Sequence, residues 1–493
     1  MMRKVTVFPC VLIAFVSIAS SSAWAQVKYT VTDLGSLGYG SVAYSVNNAG
    51  QVVGTARIAT TGSFGLHYEH AFLYSGGQMQ DLGTLPGPIW EPTPISAAFG
   101  INDAGQIAGC ASDQQGPVIA FLYDGGQMQQ FAWGSAQAIN NAGQVVGSFI
   151  NDSGYMHAFL YSGGQVQDLG PLSGNGTVDS QANGINDSGQ VVGWLGGGQN
   201  KQAFLYNSGE AMRDIGTLGG TYSVANGIDN AGQVIGSSTT ASGSSHAFIY
   251  SGGKMNDMGT LGGDQSWANG INNAGQVVGY SNYASGVNTG HAFLYSNGAM
   301  TDLNTVIDPS SGWTLYEANA INDVGQIVGV GTNAAGQSDA FLLSLLGDFN
   351  HDGVVNAADI DQLYANFTAK TGTYSSLYDV NGDGVVNQAD VDYILQNVLH
   401  CTYGDANLDG AADFTDFQTL LNHWQQSGAG TGWASGDWNG DGVVDFMDFQ
   451  MLLNYWNPAG ENYAPSQAPE PASLTLILLG ALGLVRGRRI KSC

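Results

Sequence analysis

A nine-residue phrase recurs seven times in the first two-thirds of this chain and constrains its fold more than any other feature. Its most regular form reads Ile-Asn-Asn-Ala-Gly-Gln-Val-Val-Gly, and its seven central glycines are Gly50, Gly105, Gly143, Gly189, Gly232, Gly275 and Gly325. An Ala-Phe-Leu-Tyr element and an Asp-Leu-Gly element follow it in fixed order. Because one such unit cannot bury its own apolar face, repetition at this period predicts an array of stacked units, here numbered 1 to 7.

Each unit predicts four short strands. Runs rich in Val, Ile, Phe and Tyr alternate with turn clusters of Asn, Asp, Ala and Gly. In the recurring phrase the glycine supplies the positive φ that ends a tight hairpin loop, while the Asn side chain bonds local backbone. The strands are A (Ala-Asn-Gly-Ile-Asn), B (Gln-Val-Val-Gly-Tyr), C (His-Ala-Phe-Leu-Tyr) and D (Met-x-Asp-Leu-Gly).

The two ends of the array complement each other. A lone D strand that begins at Tyr29 precedes unit 1, whereas unit 7 stops after its C strand, which begins at Ala340. If the first strand completes unit 7, the array closes on itself and leaves no unpaired edge. The period of about 43 residues is typical of a propeller blade. The sequence therefore predicts a mainly β fold in which residues 26–346 form a seven-bladed β-propeller.

This array resembles the extracellular HAF-repeat family, named for the triplet His-Ala-Phe. Four units carry the triplet, at His70, His157, His246 and His291. The resemblance implies an extracellular location but no defined biochemical activity. The other three units have Ile119, Gln202 or Asp339 instead of the histidine, which favours a packed or strand-end role over a ring of metal-binding histidines.

Charge excludes one class of partner. The chain has 39 acidic and 12 basic residues and a formal net charge of −27. A protein that binds a phosphate backbone needs a basic footprint, so no nucleic-acid partner is expected. The 73 glycines and the low charged fraction of 10% are typical of a β- and turn-rich extracellular protein.

Residues 1–25 are predicted to be a secretory signal peptide. A basic start precedes an apolar stretch, and the small-x-small sequence that ends at Ala25 predicts cleavage before Gln26. An uncleaved anchor helix is the alternative, which the short apolar run disfavours. The chain is therefore expected to be exported.

Four twelve-residue loops with the pattern Asp-x-Asn-x-Asp-Gly carry the strongest chemical signal. Each has an Asp at position 12 and an apolar stretch with helical spacing after it. The predicted metal ligands at positions 1, 3, 5, 7 and 12 are Asp348, Asn350, Asp352, Val354 and Asp359 in loop 1, Asp379, Asn381, Asp383, Val385 and Asp390 in loop 2, Asp405, Asn407, Asp409, Ala411 and Asp416 in loop 3, and Asp437, Asn439, Asp441, Val443 and Asp448 in loop 4.

Calcium (Ca²⁺) is the cofactor that these loops favour. It takes about six to eight hard oxygen ligands, and a sharp turn at a position-6 glycine places the five ligand positions around one ion. Position 7 would offer its backbone carbonyl, and position 9 is Asn387 or Asp445 in loops 2 and 4. A single match also fits an ordinary Asx-rich turn, whereas four matches with a helix each favour calcium binding.

The same pattern resembles the dockerin module, in which two loop-helix halves fold on calcium. The resemblance implies two small α-helical modules, at residues 347–403 and 404–457. Asp rather than Glu at position 12 favours it over a full EF-hand. The chain departs from the family at the pairs before position 12, where partner recognition is read and a Ser-Thr type pair is usual. These pairs are Ala357-Ala358, Gln388-Ala389, Phe414-Thr415 and Phe446-Met447. A cohesin-like receptor is therefore less well supported than calcium.

The carboxyl end carries a further signal. After a linker at residues 458–468, the residues Pro469, Glu470 and Pro471 precede a short apolar run and a basic cluster. Residues 469–493 resemble the PEP-CTERM sorting signal of Gram-negative-type bacteria. This resemblance implies transient membrane retention, cleavage by a membrane sorting protease and delivery to the cell surface. A permanent anchor is the alternative, although the run is shorter than the ~20 residues that cross a bilayer.

Two functions remain open at this point. The array has no G-x-S-x-G, H-E-x-x-H or phosphate-binding glycine loop. Glu69, Glu91, Asp264 and Glu317 could supply a carboxylate pair for glycoside cleavage if two of them converge. We expect a non-enzymatic surface protein whose array binds an unidentified protein or polysaccharide. The alternative is an enzyme or accessory component of extracellular polysaccharide degradation.

Overall fold

The structure is a computed structural model that describes residues 29–457 except 62–66, 86–94, 113–117, 171–177, 199, 285–289, 368–369, 371, 373 and 376. The signal peptide at 1–25 with its cleavage residue Ala25, the linker at 458–468 and the sorting signal with Pro469, Glu470 and Pro471 lie outside the described residues. Those predictions are therefore not tested by the fold.

The described part of the array contains twenty-seven strands. Unit 1 is a sheet of β2 (Gly38–Val46), β3 (Val52–Thr61), β4 (His67–Ser75) and β5 (Gln78–Asp81). Units 2 and 3 form one sheet of β6 (Ile95–Ile101), β7 (Ile107–Ser112), β8 (Ile119–Asp124), β9 (Gln127–Ile139), β10 (Val145–Ile150), β11 (Met156–Ser162) and β12 (Gln165–Asp168). Unit 4 comprises β13 (Ser180–Ile185), β14 (Val191–Leu195), β15 (Gln202–Tyr206) and β16 (Arg213–Asp214).

The remaining units each form one four-stranded sheet. Unit 5 comprises β17 (Gly219–Ile228), β18 (Val234–Thr240), β19 (Ser245–Ser251) and β20 (Lys254–Asp257). Unit 6 comprises β21 (Ser266–Ile271), β22 (Val277–Asn282), β23 (Gly290–Ser296) and β24 (Ala299–Asp302). Unit 7 comprises β25 (Thr314–Ile321), β26 (Ile327–Thr332), β27 (Ser338–Leu345) and, from the start of the chain, β1 (Tyr29–Asp33). Short 3-10 turns cover Leu303–Thr305 and Pro309–Ser311.

The recurring phrase forms the turn between strands A and B. In unit 1 the Gly50 amide donates to the Asn47 carbonyl at 3.0 Å, and Gly50 has a φ of +72°. The Asn47 Oδ1 accepts the Gln51 amide at 2.9 Å. The glycine is needed because L side chains rarely adopt this φ, and the Asn side chain satisfies backbone that the tight turn leaves unpaired.

β1 pairs with β27 in antiparallel register, with Tyr29 opposite Leu345 and Asp33 opposite Phe341. This is the pairing that the two half-units predict. Unit 7 also packs against unit 1, since Val328 and Leu342 share a hydrophobic cluster with Val52. The prediction of a mainly β array is thus confirmed.

Units 2 and 3 differ from the expected pair of separate four-stranded units. β9 pairs with β8 through its first half and with β10 from Gly134 onward. The physical reason is that unit 2 lacks the Asp-Leu-Gly turn after strand D, so the strand continues directly into unit 3. The side chain of Trp133 is 62% exposed there, and with Ile150 and Met156 it lines an apolar groove of about 490 Å³.

A small helical region follows the array. Its helices are α1 (Ala357–Ala365), α2 (Gln388–Ile394), α3 (Phe414–Asn422) and α4 (Phe446–Asn454), with a π-helical turn at Leu395–Leu399 and a 3-10 turn at Trp433–Ser435. No helix within the described residues is both long and apolar enough to cross a bilayer.

The two expected modules are not independent of each other. Side chains from both share one hydrophobic core around the fully buried Trp433 and Trp438. The Tyr364 hydroxyl of the first half donates to the Trp438 carbonyl of the second at 2.7 Å, and the Trp433 amide donates to Asp361 Oδ1 at 2.7 Å. Each pair of short helices alone has little apolar surface to bury, which is why the halves combine their cores.

Candidate metal centre

Each acidic loop runs directly into a helix, and the helix begins inside the loop. The residue at position 9 is the N-cap, and its side chain accepts the amide two residues later; the caps are Asn356, Asn387, Asp413 and Asp445. The sequence assigned position 9 a role near the ion in loops 2 and 4 and missed its capping role. The Asx residue three positions before the Asp of position 12 was the available signal, because it forms a capping box.

The position-12 aspartate holds the two ends of the loop together. In loop 1, Asp359 Oδ1 accepts the Phe349 amide at 2.8 Å, and Oδ2 accepts the Asn356 amide at 2.9 Å. Asp390, Asp416 and Asp448 repeat both bonds in the other loops. All four carboxylates are buried. Backbone amides therefore orient all four carboxylates.

The side chains at positions 1, 3 and 5 hydrogen-bond to one another or to the loop backbone. In loop 1, Asp348 accepts the amides of Asp352 and Gly353 at 3.1 and 3.0 Å. The Asn350 side chain accepts the Asp352 amide and donates to Asp352 Oδ2. The same bonds recur at Asp379, Asn381 and Asp383, at Asp405, Asn407 and Asp409, and at Asp437, Asn439 and Asp441.

Loop 1 brings three carboxylates together. Oxygens of Asp348, Asp352 and Asp359 lie within 4.8 Å of one another. Loops 2 to 4 are fully described and show the same hydrogen bonds, but bring no such trio of acids that close. Carboxylate oxygens at this separation suit a hard cation, so this cluster can hold a metal.

At position 7 the side chains are exposed or partly buried, and the backbone carbonyl is the group available as a ligand. The side chains of Val354 and Val385 are exposed, and those of Ala411 and Val443 are partly buried. The Val354 carbonyl lies within hydrogen-bond distance of Asn356 Nδ2, at 3.1 Å. This carbonyl therefore lies beside the cap, on the loop segment that leads to position 12.

Burial opposes ionisation of several of these carboxylates. It raises the pKa of Asp405 and of Asp448 to about 6, and in Asp405 the neighbouring Asp416 carboxylate adds to that effect. Burial is also the main cause of the raised pKa of Asp348, Asp390, Asp416 and Asp437. A cation in the loops would offset both the lost hydration and the mutual repulsion.

The array histidines are paired within their own units. His70, His157, His246 and His291 contact Asp81, Asp168, Asp257 and Asp302 through Nδ1, at 2.9, 2.9, 2.8 and 2.6 Å. Each pair joins strands C and D of one sheet. This position therefore has a structural role at the end of a strand, and the histidines do not form a ring.

Asparagines of the recurring phrase join neighbouring units around a shallow depression of about 170 Å³. Asn47 Nδ2 donates to the Asn102 carbonyl at 3.1 Å, and Asn322 Nδ2 donates to the Asn47 carbonyl at 2.9 Å. The second bond joins unit 7 to unit 1. The repeated polar side chains here thus hold units together.

Two of the candidate catalytic acids of the array have polar side-chain partners. Glu69 forms an ion pair with Arg57 at 3.2 Å, and Glu317 accepts a hydrogen bond from Asn269 Nδ2 at 3.0 Å. Asp264 is exposed before β21, and Glu91 lies outside the described residues.

One protein-family model matches the helical region. Residues 346–399 and 403–457 match the family model of the dockerin type I domain. No sequence match was found among curated proteins.

Three solved structures that are similar to this chain share little of its sequence. The beta-propeller domain of the Trilobed protease from Pyrococcus furiosus is 10% identical, with 66% of this chain and 98% of that chain covered and a TM-score of 0.40. YCF48 bound to D1 peptide is 13% identical, with 65% and 96% covered and a TM-score of 0.41. The gluconolactonase XC5397 from Xanthomonas campestris is 13% identical, with 49% and 82% covered and a TM-score of 0.31. Such low scores say nothing about what this chain binds.

Proposed function

We propose that this chain is an exported, non-enzymatic surface protein whose helical region binds Ca²⁺ and attaches a binding array to a protein partner. The observation that carries the proposal is the convergence of Asp348, Asp352 and Asp359 in loop 1. It occurs within a segment that matches the dockerin type I model, and the three other loops repeat its hydrogen bonds.

Residues at positions 1, 3, 5, 7 and 12 of each loop would hold the ion. The bound ion supplies positive charge to a site where burial opposes ionisation of the carboxylates. The chain supplies the orientation: Asp359 is fixed by the Phe349 and Asn356 amides, and Gly353, with a φ of +85°, allows the turn. Calcium affinity would therefore be linked to the stability of the helices that follow the loops.

The second half of the helical region offers a surface for a partner. Phe414 and Phe446 are 56% and 57% exposed, at position 10 of loops 3 and 4. Each contacts a buried ring, Phe417 or Phe449, and those two rings lie 6.0 Å apart. This aromatic row favours a protein partner with an apolar recess, such as a cohesin-like receptor that accepts aromatic instead of hydroxyl side chains.

The array is inferred to be a closed seven-bladed propeller. Seven copies of the phrase, the pairing of β1 with β27 and the bond from Asn322 to Asn47 support closure. In this arrangement the loops between strands would present a binding face to a protein or polysaccharide. We favour binding over glycoside hydrolysis because the array carries no catalytic motif such as G-x-S-x-G or H-E-x-x-H.

Export would begin with cleavage after Ala25 and end with removal of the tail near Pro469, Glu470 and Pro471. A membrane sorting protease would make the second cut. Intact-mass measurement of surface-released protein should then lack the Arg486–Lys491 cluster. Recovery of that cluster in mature protein would favour the permanent anchor.

Calcium titration of the full chain tests the central proposal. Chelator-treated protein should bind calcium with measurable heat and gain helical circular dichroism. The double variant Asp348→Asn and Asp352→Asn should lose the loop 1 site, because each asparagine has nearly the same volume as the aspartate but no charge. Asp152→Asn, an exposed acid in the array, serves as the matched control and should behave as the wild type. A native helical spectrum in excess chelator, with no binding heat, would refute calcium binding.

A further inference from the structure

One position in the array changes its chemistry in unit 7. This position is the residue just before Ala-Phe in strand C, and it lies next to one residue of strand D. In unit 1 the two residues are His70 and Asp81, and Asp81 is the residue that pairs with Phe72. In four units this pair is a His and an Asp in contact. In unit 4 it is Gln202 and Asp214, and in unit 2 it is Ile119 and Gln130. Wherever the aspartate is present in units 1 to 6, its counterpart can donate a hydrogen bond.

Unit 7 places two acids at this position. Asp339 stands where four units have histidine, and Asp33 of β1 is the strand D residue, opposite Phe341. Asn333 Nδ2 donates to Asp33 Oδ2 at 3.0 Å and to Asp339 Oδ2 at 2.9 Å. Both carboxylates therefore bond to one amide nitrogen. In unit 3, Asn151 occupies the corresponding turn and contacts a histidine, His157, at 3.1 Å.

The unit 7 pair lacks a positive partner. Asp339 is only 4% exposed, and its Oδ1 is buried without any hydrogen-bond partner among the described residues. Burial and the Asp33 charge both raise the pKa of Asp339, burial more strongly. Within the described part of the chain, neither acid forms an ion pair with Lys, Arg or His. Two neighbouring acids and one buried oxygen without a partner can be stabilised by a bound cation or by a shared proton.

We propose that Asp33 and Asp339 bind a Ca²⁺ ion in unit 7, separate from the four acidic loops. The donor set is oxygen, which suits a hard cation. The exposed Asp33 leaves a path for the ion and its remaining water ligands, while Asn333 fixes one oxygen of each carboxylate. The ion takes the place of the positive or donating group that the other units supply through a side chain.

This site would couple calcium to ring closure. Asp33 belongs to β1, whereas Asp339 and Asn333 belong to the β26–β27 hairpin of the same sheet. An ion shared by Asp33 and Asp339 would hold the amino-terminal strand in place. Without it, repulsion between the two acids would oppose the pairing of β1 with β27.

The test counts calcium ions bound per full chain by native mass spectrometry and isothermal titration, for the wild type, the double variant Asp348→Asn and Asp352→Asn, and three further variants. Asp339→His copies the pair found in four units and should fold, yet bind one ion fewer. Asp339→Asn keeps the side-chain shape and should lose the same ion. Asp152→Asn removes a charge from the corresponding turn of unit 3 and should bind as many ions as the wild type.

The outcomes separate this site from the acidic loops. Loss of one ion in both Asp339 variants supports the unit 7 site whether or not the loops bind calcium. An unchanged count in both variants overturns it, and the pair then shares a proton. Loss of calcium only in the Asp348→Asn and Asp352→Asn variant would support the loops alone.

Discussion

Gly353 and Val324 meet backbone to backbone, so that a Cβ on Gly353 would lie 2.9 Å from both the Cα and the carbonyl oxygen of Val324. Gly353 is position 6 of loop 1, and Val324 lies in the recurring turn of unit 7. The other six units have Ala or Ser at the Val324 position. The first acidic loop therefore rests on the array at the one turn whose residue is larger than in the other units.

Gly353→Ala should destabilise the helical region more than the same change in loop 4. Gly353 has a φ of +85° and Gly442 has a φ of +87°, and a Cβ on Gly442 would have no atom within 4 Å. The left-handed conformation costs each variant roughly 1–2 kcal/mol. Only Gly353→Ala must also displace the Val324 backbone. Urea unfolding followed by helical circular dichroism compares the two, and equal losses would show that this contact contributes nothing in solution.

Deletion of residues 27–36 should lower the melting temperature of the array and promote aggregation. The deletion removes β1, together with the buried Tyr29 and Leu34, and leaves the edge of β27 unpaired. Differential scanning calorimetry and gel filtration measure the effect against a chain that begins at Gln26. An unchanged melting temperature and a monomeric elution would contradict closure through β1.

Ser96→Ala should lower the free energy of unfolding by about 1–3 kcal/mol, the cost of an unsatisfied buried amide. The Ser96 hydroxyl accepts the Ala71 amide of unit 1 at 2.8 Å and donates to the Gly83 carbonyl at 2.6 Å. Ser41, Ser180, Ser223 and Ser266 make the same two contacts between other neighbouring units. Ser153→Ala, on an exposed turn, is the control in urea unfolding, and an equal effect in both would refute this role.

Local pattern was sufficient for the strands and for the pairing of the first strand with the last unit. Short runs rich in Val, Ile, Phe and Tyr predicted strands A to D, and the turn clusters between them, as at Gly50, predicted the hairpin loops. The half-units at the two ends predicted that the strand from Tyr29 completes unit 7, and the structure adds the register, with Tyr29 opposite Leu345. These features depend on short stretches of sequence, so a repeated unit reveals them seven times over.

Features that depend on tertiary contacts were not predicted. The shared core around Trp433 and Trp438 joins two halves that read as separate modules, because their boundary shows only in packing. The continuous β9 follows from the loss of a turn after Gln130, which the strand assignment treated as an ordinary unit. Acidic spacing located the four loops, but whether three oxygens converge, as at Asp348, Asp352 and Asp359, depends on side-chain geometry.

Glu317 should make the stability of the array depend on pH. The variant Glu317→Gln should lack this contribution to the pH dependence. Burial raises the pKa of Glu317 above its ordinary value of 4.5, and the hydrogen bond from Asn269 offsets part of that rise. A raised pKa means that the folded array binds the proton more tightly than the unfolded chain. The contribution of this group is therefore fully present below pH 4.5 and is lost as the pH rises through the higher folded-state pKa.

The glutamine variant mimics the protonated acid at every pH. The free energy of unfolding of the wild type, minus that of Glu317→Gln, should fall as the pH rises from 4 to 8 in a series of urea titrations. Asn269→Ala removes the hydrogen bond that lowers the pKa of Glu317. The free energy of unfolding of Asn269→Ala, minus that of the double variant Asn269→Ala and Glu317→Gln, should therefore fall at a higher pH than the corresponding difference for the wild type. A difference that stays constant, or that grows with pH, would show that the Glu317 carboxylate is stabilised rather than opposed by its surroundings.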